Sequence, residues 1–68
     1  MKEIKINTDF IKLDSFLKWC GAVQSGVEAK MFILDGKVKL NGQEETRRGK
    51  KIYKGDIIDF QGETYRVI

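Results

Sequence analysis

The hydrophobic period of this chain changes at Asp35-Gly36, and that change limits the folds open to it. Before it, Leu13, Phe16, Leu17 and Cys20 recur at spacings of three and four, which places them on one face of a helix. Val27, Met31 and Leu34, with Ala29 and Ile33 alongside, predict the apolar side of a second helix. Beyond Gly36, Lys37-Val38-Lys39-Leu40 alternates as a half-buried strand does, and Asn41-Gly42 is the strongest two-residue hairpin signal, with Gln43 to Thr46 as the return strand. Gly21 can end the first helix, Leu13 to Cys20, in a left-handed conformation. Ser25-Gly26-Val27-Glu28 has the form of a capping box, in which Ser25 accepts from a first-turn amide and Glu28 reaches back to the Ser25 amide. Lys2 to Ile6 alternates and predicts a first strand, followed by turn and cap residues at Asn7-Thr8-Asp9. Arg47 to Lys51 reads as a charged loop and Ile52 to Asp56 as a turn, after which Ile57 to Phe60 and Thr64 to Ile68 form two strands joined at Gln61-Gly62-Glu63. The expected class is α+β: two short helices packed on a small, mostly antiparallel twisted sheet of four to five strands, as one domain over residues 1–68.

A chain this short buries only about 60% of the surface its unfolded form exposes, so it has no deep interior for a large substrate cavity. Function belongs on its outer surface. Histidine is absent, which removes the usual general base and the commonest metal ligand. Cys20 falls on the apolar face of helix one and reads as a buried small hydrophobe, not an activated nucleophile. The carboxylate pairs Glu44 with Glu45 and Asp56 with Asp59 sit in turns or exposed strands, where solvation is the expected role. Gly49 lies in a basic loop that does not lead into a helix, so no phosphate-cradling loop is present. The expectation is a protein with no catalytic residue, no metal and no cofactor. One cysteine cannot form an internal disulfide, no run approaches the roughly 18 apolar residues of a membrane span, and Met1 to Lys5 lacks a signal-peptide core. A cytoplasmic location, a monomer and no membrane partner are expected.

Charge is unevenly spread. Residues 37 to 54 hold seven basic side chains (Lys37, Lys39, Arg47, Arg48, Lys50, Lys51, Lys54) against Glu44 and Glu45, whereas the rest of the chain is net negative by two. Such an excess raises a positive potential over one face and favours a polyanion. Strand alternation aims Lys37 and Lys39 into solvent and Val38 and Leu40 into the core. Lys12, Lys18 and Lys30 on the helices are expected to edge the same surface. The aromatic residues Phe10, Phe16, Trp19, Phe32, Tyr53, Phe60 and Tyr65 are dispersed at apolar positions and read as core, not as base-stacking platforms. Trp19, next to Lys18, is the one expected to be partly exposed.

Four segments carry a family resemblance: Lys12-Leu13-Asp14-Ser15-Phe16-Leu17-Lys18, Ser25-Gly26-Val27-Glu28-Ala29-Lys30, Gly36-Lys37-Val38-Lys39-Leu40-Asn41-Gly42 and Lys54-Gly55-Asp56. Taken in order at these separations, they resemble the S-four-type RNA-binding domain, also called the alpha-L motif, over about Leu13 to Phe60. The resemblance implies a domain that binds structured RNA through its two helices and the hairpin that follows, with any catalysis carried by other domains. It implies that Lys12, Lys18, Lys30, Lys37, Lys39 and Asn41 lie on or beside the RNA surface; Arg47, Arg48, Lys50 and Lys51 are added on charge. Lys12 departs from the arginine common in the family, and an ammonium does not grip phosphate bidentately as a guanidinium does. The short stand-alone members are the best match, which makes ribosomal RNA, or a ribosomal subunit or its precursor, the expected partner, with transfer RNA second. The rival reading is a protein-interaction module whose basic loop docks on an acidic partner. A sulfur-carrier or ubiquitin-like role fits less well, because the chain ends Arg66-Val67-Ile68 in a predicted strand and not in a flexible Gly-Gly tail.

Overall fold

A computed structural model describes all residues, Met1–Ile68. The elements are β1 (Lys2–Ile4), β2 (Phe10–Lys12), α1 (Leu13–Trp19), α2 (Gly26–Leu34), β3 (Val38–Leu40), β4 (Gln43–Glu44), β5 (Lys51–Tyr53), β6 (Ile57–Phe60) and β7 (Glu63–Val67). Five strands form one sheet in the order β1-β7-β6-β3-β4; β1 runs parallel to β7, and every other pairing is antiparallel. The expected α+β architecture is thus present. It carries an addition that the sequence reading missed: β2 and β5 pair as a separate two-stranded ribbon.

Strand alternation places Val38, Ile58, Phe60, Tyr65 and Val67 on the inner face of the sheet, all buried. The helices lie over that face, with Leu13, Phe16 and Leu17 of α1 and Ala29 and Ile33 of α2 buried against it. Two edge-to-face aromatic pairs fix the stacking: Phe16 on Tyr65 at 6.1 Å between centroids, and Phe32 on Phe60 at 5.0 Å. Gly21, at φ 80, takes the left-handed position that ends α1, as expected. Asn41 and Gly42, at φ 51 and 85, make the tight hairpin turn that the Asn-Gly pair predicts. No helix is long and apolar enough to cross a membrane.

Three local expectations are corrected. Phe10–Lys12, which the sequence pattern places in no element ahead of helix one, is a strand, and Lys51–Tyr53, divided between a loop and a turn, is its partner. Helix α2 buries the Ala29/Ile33 side, leaving Val27, Met31 and Leu34 exposed at 71%, 63% and 58%. Periodicity alone could not choose between these sides, because apolar residues occupy both. Ser25 caps α2 by accepting from the Glu28 amide at 3.2 Å, but the Glu28 carboxylate accepts from the Gln24 amide at 2.9 Å, one residue earlier than a capping box places it.

Candidate nucleic-acid interface

The residue before α1 is Lys12, whose side chain can donate but cannot accept, so it makes no cap for the helix. Loop carbonyls serve instead. The amide of Leu13 donates to the Lys50 carbonyl at 2.9 Å and that of Asp14 to the Arg48 carbonyl at 3.1 Å. These bonds draw the 47–51 loop onto the start of α1. They continue the β2–β5 pairing, in which Lys12 stands directly opposite Lys51, Ile11 opposite Ile52 and Phe10 opposite Tyr53. Ile52 is fully buried, so alternation turns Phe10, Lys12, Lys51 and Tyr53 to the other side of the ribbon. Like charges directly opposite one another destabilise a strand pair. Lys51 offsets part of that cost by lying over the Phe10 ring, 4.7 Å from its centroid. Lys12, Arg48 and Lys51 are thereby gathered around one helix end, whereas the Lys50 side chain lines the groove beside the hairpin with Glu44, Glu45 and Arg47. Lys18 lies on the exposed side of α1 with Ser15 and Trp19, and together with Ile11 these line a shallow depression.

Of the remaining predicted cations, Arg47 is ion-paired and Lys37 and Lys39 lie near carboxylates. Arg47 grips Glu45 through two side-chain hydrogen bonds, Nε to Oε2 at 3.0 Å and the terminal guanidinium nitrogen to Oε1 at 3.2 Å. The hydrogen-bonded guanidinium holds the Glu45 carboxyl below the usual carboxylate range. Lys39 stands between Glu44 of β4 and Asp59 of β6 in the sheet register. Glu44 also packs over the Gly36 turn, so closely that a Cβ on Gly36 would fall 2.6 Å from its Oε1. Lys37 and Lys39 line one groove together with Asp59. Following the ladder outward, the open face of the sheet carries Glu3, Glu44 and Asp59 against Lys39 and Arg66. That face is not cationic. Lys30 is exposed on α2.

Asn41 is engaged by the fold at both ends of its amide. Its Oδ1 accepts from the Ile57 amide at 2.9 Å, and its Nδ2 donates to Asp56 Oδ1 at 3.1 Å. The other Asp56 oxygen accepts from the Tyr53 amide at 2.8 Å. The Asn-Gly hairpin turn and the later Gly-Asp turn are therefore halves of one clamp, which explains why both motifs occur in the same chain. The clamp also pins the end of β5.

The structure thus gathers Lys12, Arg48 and Lys51, places Lys18 further along α1, and sets Lys37, Lys39, Arg47 and Lys50 among acids. The reading of the aromatics other than Trp19 as core is overturned for Tyr53, which is 50% exposed, and for Phe10, which the ribbon turns outward; Trp19, at 57%, is exposed as expected, its Nε1 donating to the Lys5 carbonyl at 3.0 Å. Cys20 is half-buried, and burial pushes its thiol up, away from a reactive thiolate.

Residues 4–68 match the family described as S4 domain. The chain is 41% identical over 59 residues to RlbA of Bacillus subtilis (strain 168), named as a probable ribosome maturation protein, covering 87% of this chain and 83% of that one. It is 38% identical over 58 residues to YbcJ of Escherichia coli (strain K12), covering 85% of this chain and 83% of that protein. The solution structure of YbcJ from E. coli, described as revealing an alfaL motif involved in RNA-binding, matches all of this chain and 87% of its own with a TM-score of 0.76 and 33% identity. The crystal structure of the 30S ribosomal protein S4e from Thermoplasma acidophilum shares the fold, with a TM-score of 0.68 at 23% identity over 91% of this chain and 33% of that one.

Proposed function

This chain belongs to the S4 domain family, and from that premise we propose that it binds structured RNA, ribosomal RNA first, in ribosome maturation, as one cytoplasmic domain with no catalytic step of its own. The observation that carries the reading is the bonding of the Arg48 and Lys50 carbonyls to the first amides of α1, which sets Arg48 and Lys51 beside Lys12. Clustered cations without carboxylate partners suit a phosphate backbone, where neutralising each phosphate releases condensed counterions. Structured RNA presents its phosphates and 2′-hydroxyls across a wide, shallow groove, which a small convex domain can meet without a cavity. The naming of RlbA for ribosome maturation and the RNA-binding motif described in YbcJ point the same way. Lys12, Lys18, Arg48 and Lys51 form the centre of the proposed interface, with Lys30 and Lys50 at its edge. Lys37, Lys39 and Arg47 contribute less because acids offset them, and Asn41 contributes through the clamp.

Salt titration of the affinity for purified ribosomal RNA tests this. With five phosphates neutralised, the slope of log affinity against log salt is about −3.5 to −4.5, a loss of roughly 100- to 500-fold between 50 and 200 mM. Reversing Lys12, Arg48, Lys50 and Lys51 to glutamate abolishes binding at 50 mM salt while the circular dichroism spectrum stays that of a folded protein. A flat salt response, or undiminished affinity in the reversed variant, refutes the reading. Binding that RNA cannot compete away from an acidic protein surface supports the rival.

A further inference from the structure

The outer face of the β2–β5 ribbon holds more than charge. Two aromatic rings and two ammonium groups sit there in strand register, Phe10 opposite Tyr53 and Lys12 opposite Lys51. The rings are not equivalent. Lys51 covers Phe10 at 4.7 Å, whereas Tyr53 remains half exposed, buttressed by Phe10 at 6.0 Å between centroids with the planes tilted by 50°. Tyr53 is also held in place from behind: its amide donates to Asp56 at 2.8 Å, and its carbonyl accepts from the Asp56 amide at 3.0 Å. A large aromatic ring fixed in the open on a strand, next to a lysine pair with no ion-pair partner, is a surface built to be covered. Aromatic rings among cations on a strand surface suit unpaired bases, because every base has a face that can stack and a phosphate that follows it.

We infer that this ribbon face receives an unpaired nucleotide of the RNA, its base stacked on Tyr53 and its phosphate held between Lys12 and Lys51. The anion relieves the repulsion between the two lysines, and the base covers the exposed ring. The inference rests on the RNA-binding reading and adds to it a preference for RNA with a bulged or looped-out base over a continuous duplex.

Two RNA hairpins of the same stem and loop test it, one carrying a single bulged 2-aminopurine in the stem and the other fully paired there. The wild-type protein prefers the bulged hairpin by roughly 5- to 150-fold, the range that base–aromatic stacking supplies, and the 2-aminopurine emission changes on binding. Tyr53→Ala removes the preference and leaves affinity for the paired hairpin unchanged, whereas Tyr53→Phe keeps the preference. Tyr53→Leu, which fills the contact with Phe10 without an aromatic face, behaves as alanine does and guards against a folding defect in Tyr53→Ala. Equal affinity of the wild type for both hairpins, or a preference that survives in both Tyr53→Ala and Tyr53→Leu, overturns the inference and leaves the RNA-binding reading standing. Failure to bind either hairpin at low salt overturns both.

Discussion

Replacing Asn41 by alanine separates a residue that touches RNA from one that holds the fold. The substitution deletes the acceptor of the Ile57 amide and the donor to Asp56, two hydrogen bonds whose net worth is about 0.5–1.5 kcal/mol each. It also leaves a residue with no locally bonding side chain at φ 51, which adds about 1–2 kcal/mol. The expected loss is about 2–5 kcal/mol, against a total of about 3–10 kcal/mol for a domain of this size. The melting temperature followed by circular dichroism falls by roughly 10–40 °C, since each kcal/mol moves a domain this small by about 4–8 °C. Asn41→Gly keeps the positive φ at little steric cost and isolates the hydrogen-bond share. Measured well below its own melting temperature, the alanine variant binds RNA as the wild type does. A melting temperature within about 2 °C of wild type refutes the clamp. A tenfold loss of RNA affinity in a demonstrably folded variant places Asn41 at the RNA instead.

Two further predictions concern elements that the sequence left ambiguous. Ile33→Ala costs about 2–5 kcal/mol in urea unfolding, because it opens the core under α2; Met31→Gln and Leu34→Gln on the exposed side stay within about 0.5 kcal/mol, and the reverse ranking would mean that the helix is rotated. The Glu45–Arg47 pair makes stability depend on pH in a defined sense. Because the folded Glu45 carboxyl titrates below its ordinary value of 4.5, the pair stabilises the protein above that pH and is lost as pH falls through the lower, folded value. Wild type is therefore more stable than Glu45→Gln near pH 7, and the two urea midpoints converge as the solution is acidified below the ordinary carboxylate range; a gap that stays constant on acidification contradicts the pairing.

The helices, the hairpin and the last two strands were legible because each has a period or a turn residue with a single structural meaning. Gly21 and Asn41-Gly42 are the clearest cases, since their positive φ values are what those residue types permit most readily. The β2–β5 ribbon was not legible. Phe10-Ile11-Lys12 and Lys51-Ile52-Tyr53 are three-residue strands, too short for alternation to rise above chance, and their pairing joins segments some 40 residues apart. The burial of α2 was hidden for the opposite reason: apolar residues lie on too many of its sides to mark one.

At the candidate site, residue type alone identified the cations but not their surroundings. Arg47 and Glu45 are two apart in the sequence and pair through the bend of the loop, while Lys39 meets Asp59 only through strand register. Charge counting over residues 37 to 54 therefore overstates the free positive charge there. It misses Lys12, which the ribbon brings to Lys51 from outside that window. Tyr53 escaped notice because an aromatic residue between a buried isoleucine and a turn reads equally well as core or as surface.

The position of the RNA face is tested most directly by amide chemical-shift mapping of the labelled protein as a ribosomal RNA fragment is added. The largest shifts are predicted at Ile11–Ser15 and Arg48–Tyr53, with Lys39, Asp59 and Arg66 on the open sheet face nearly unmoved. Large shifts across the open sheet face, with the ribbon and its loop silent, would contradict the account.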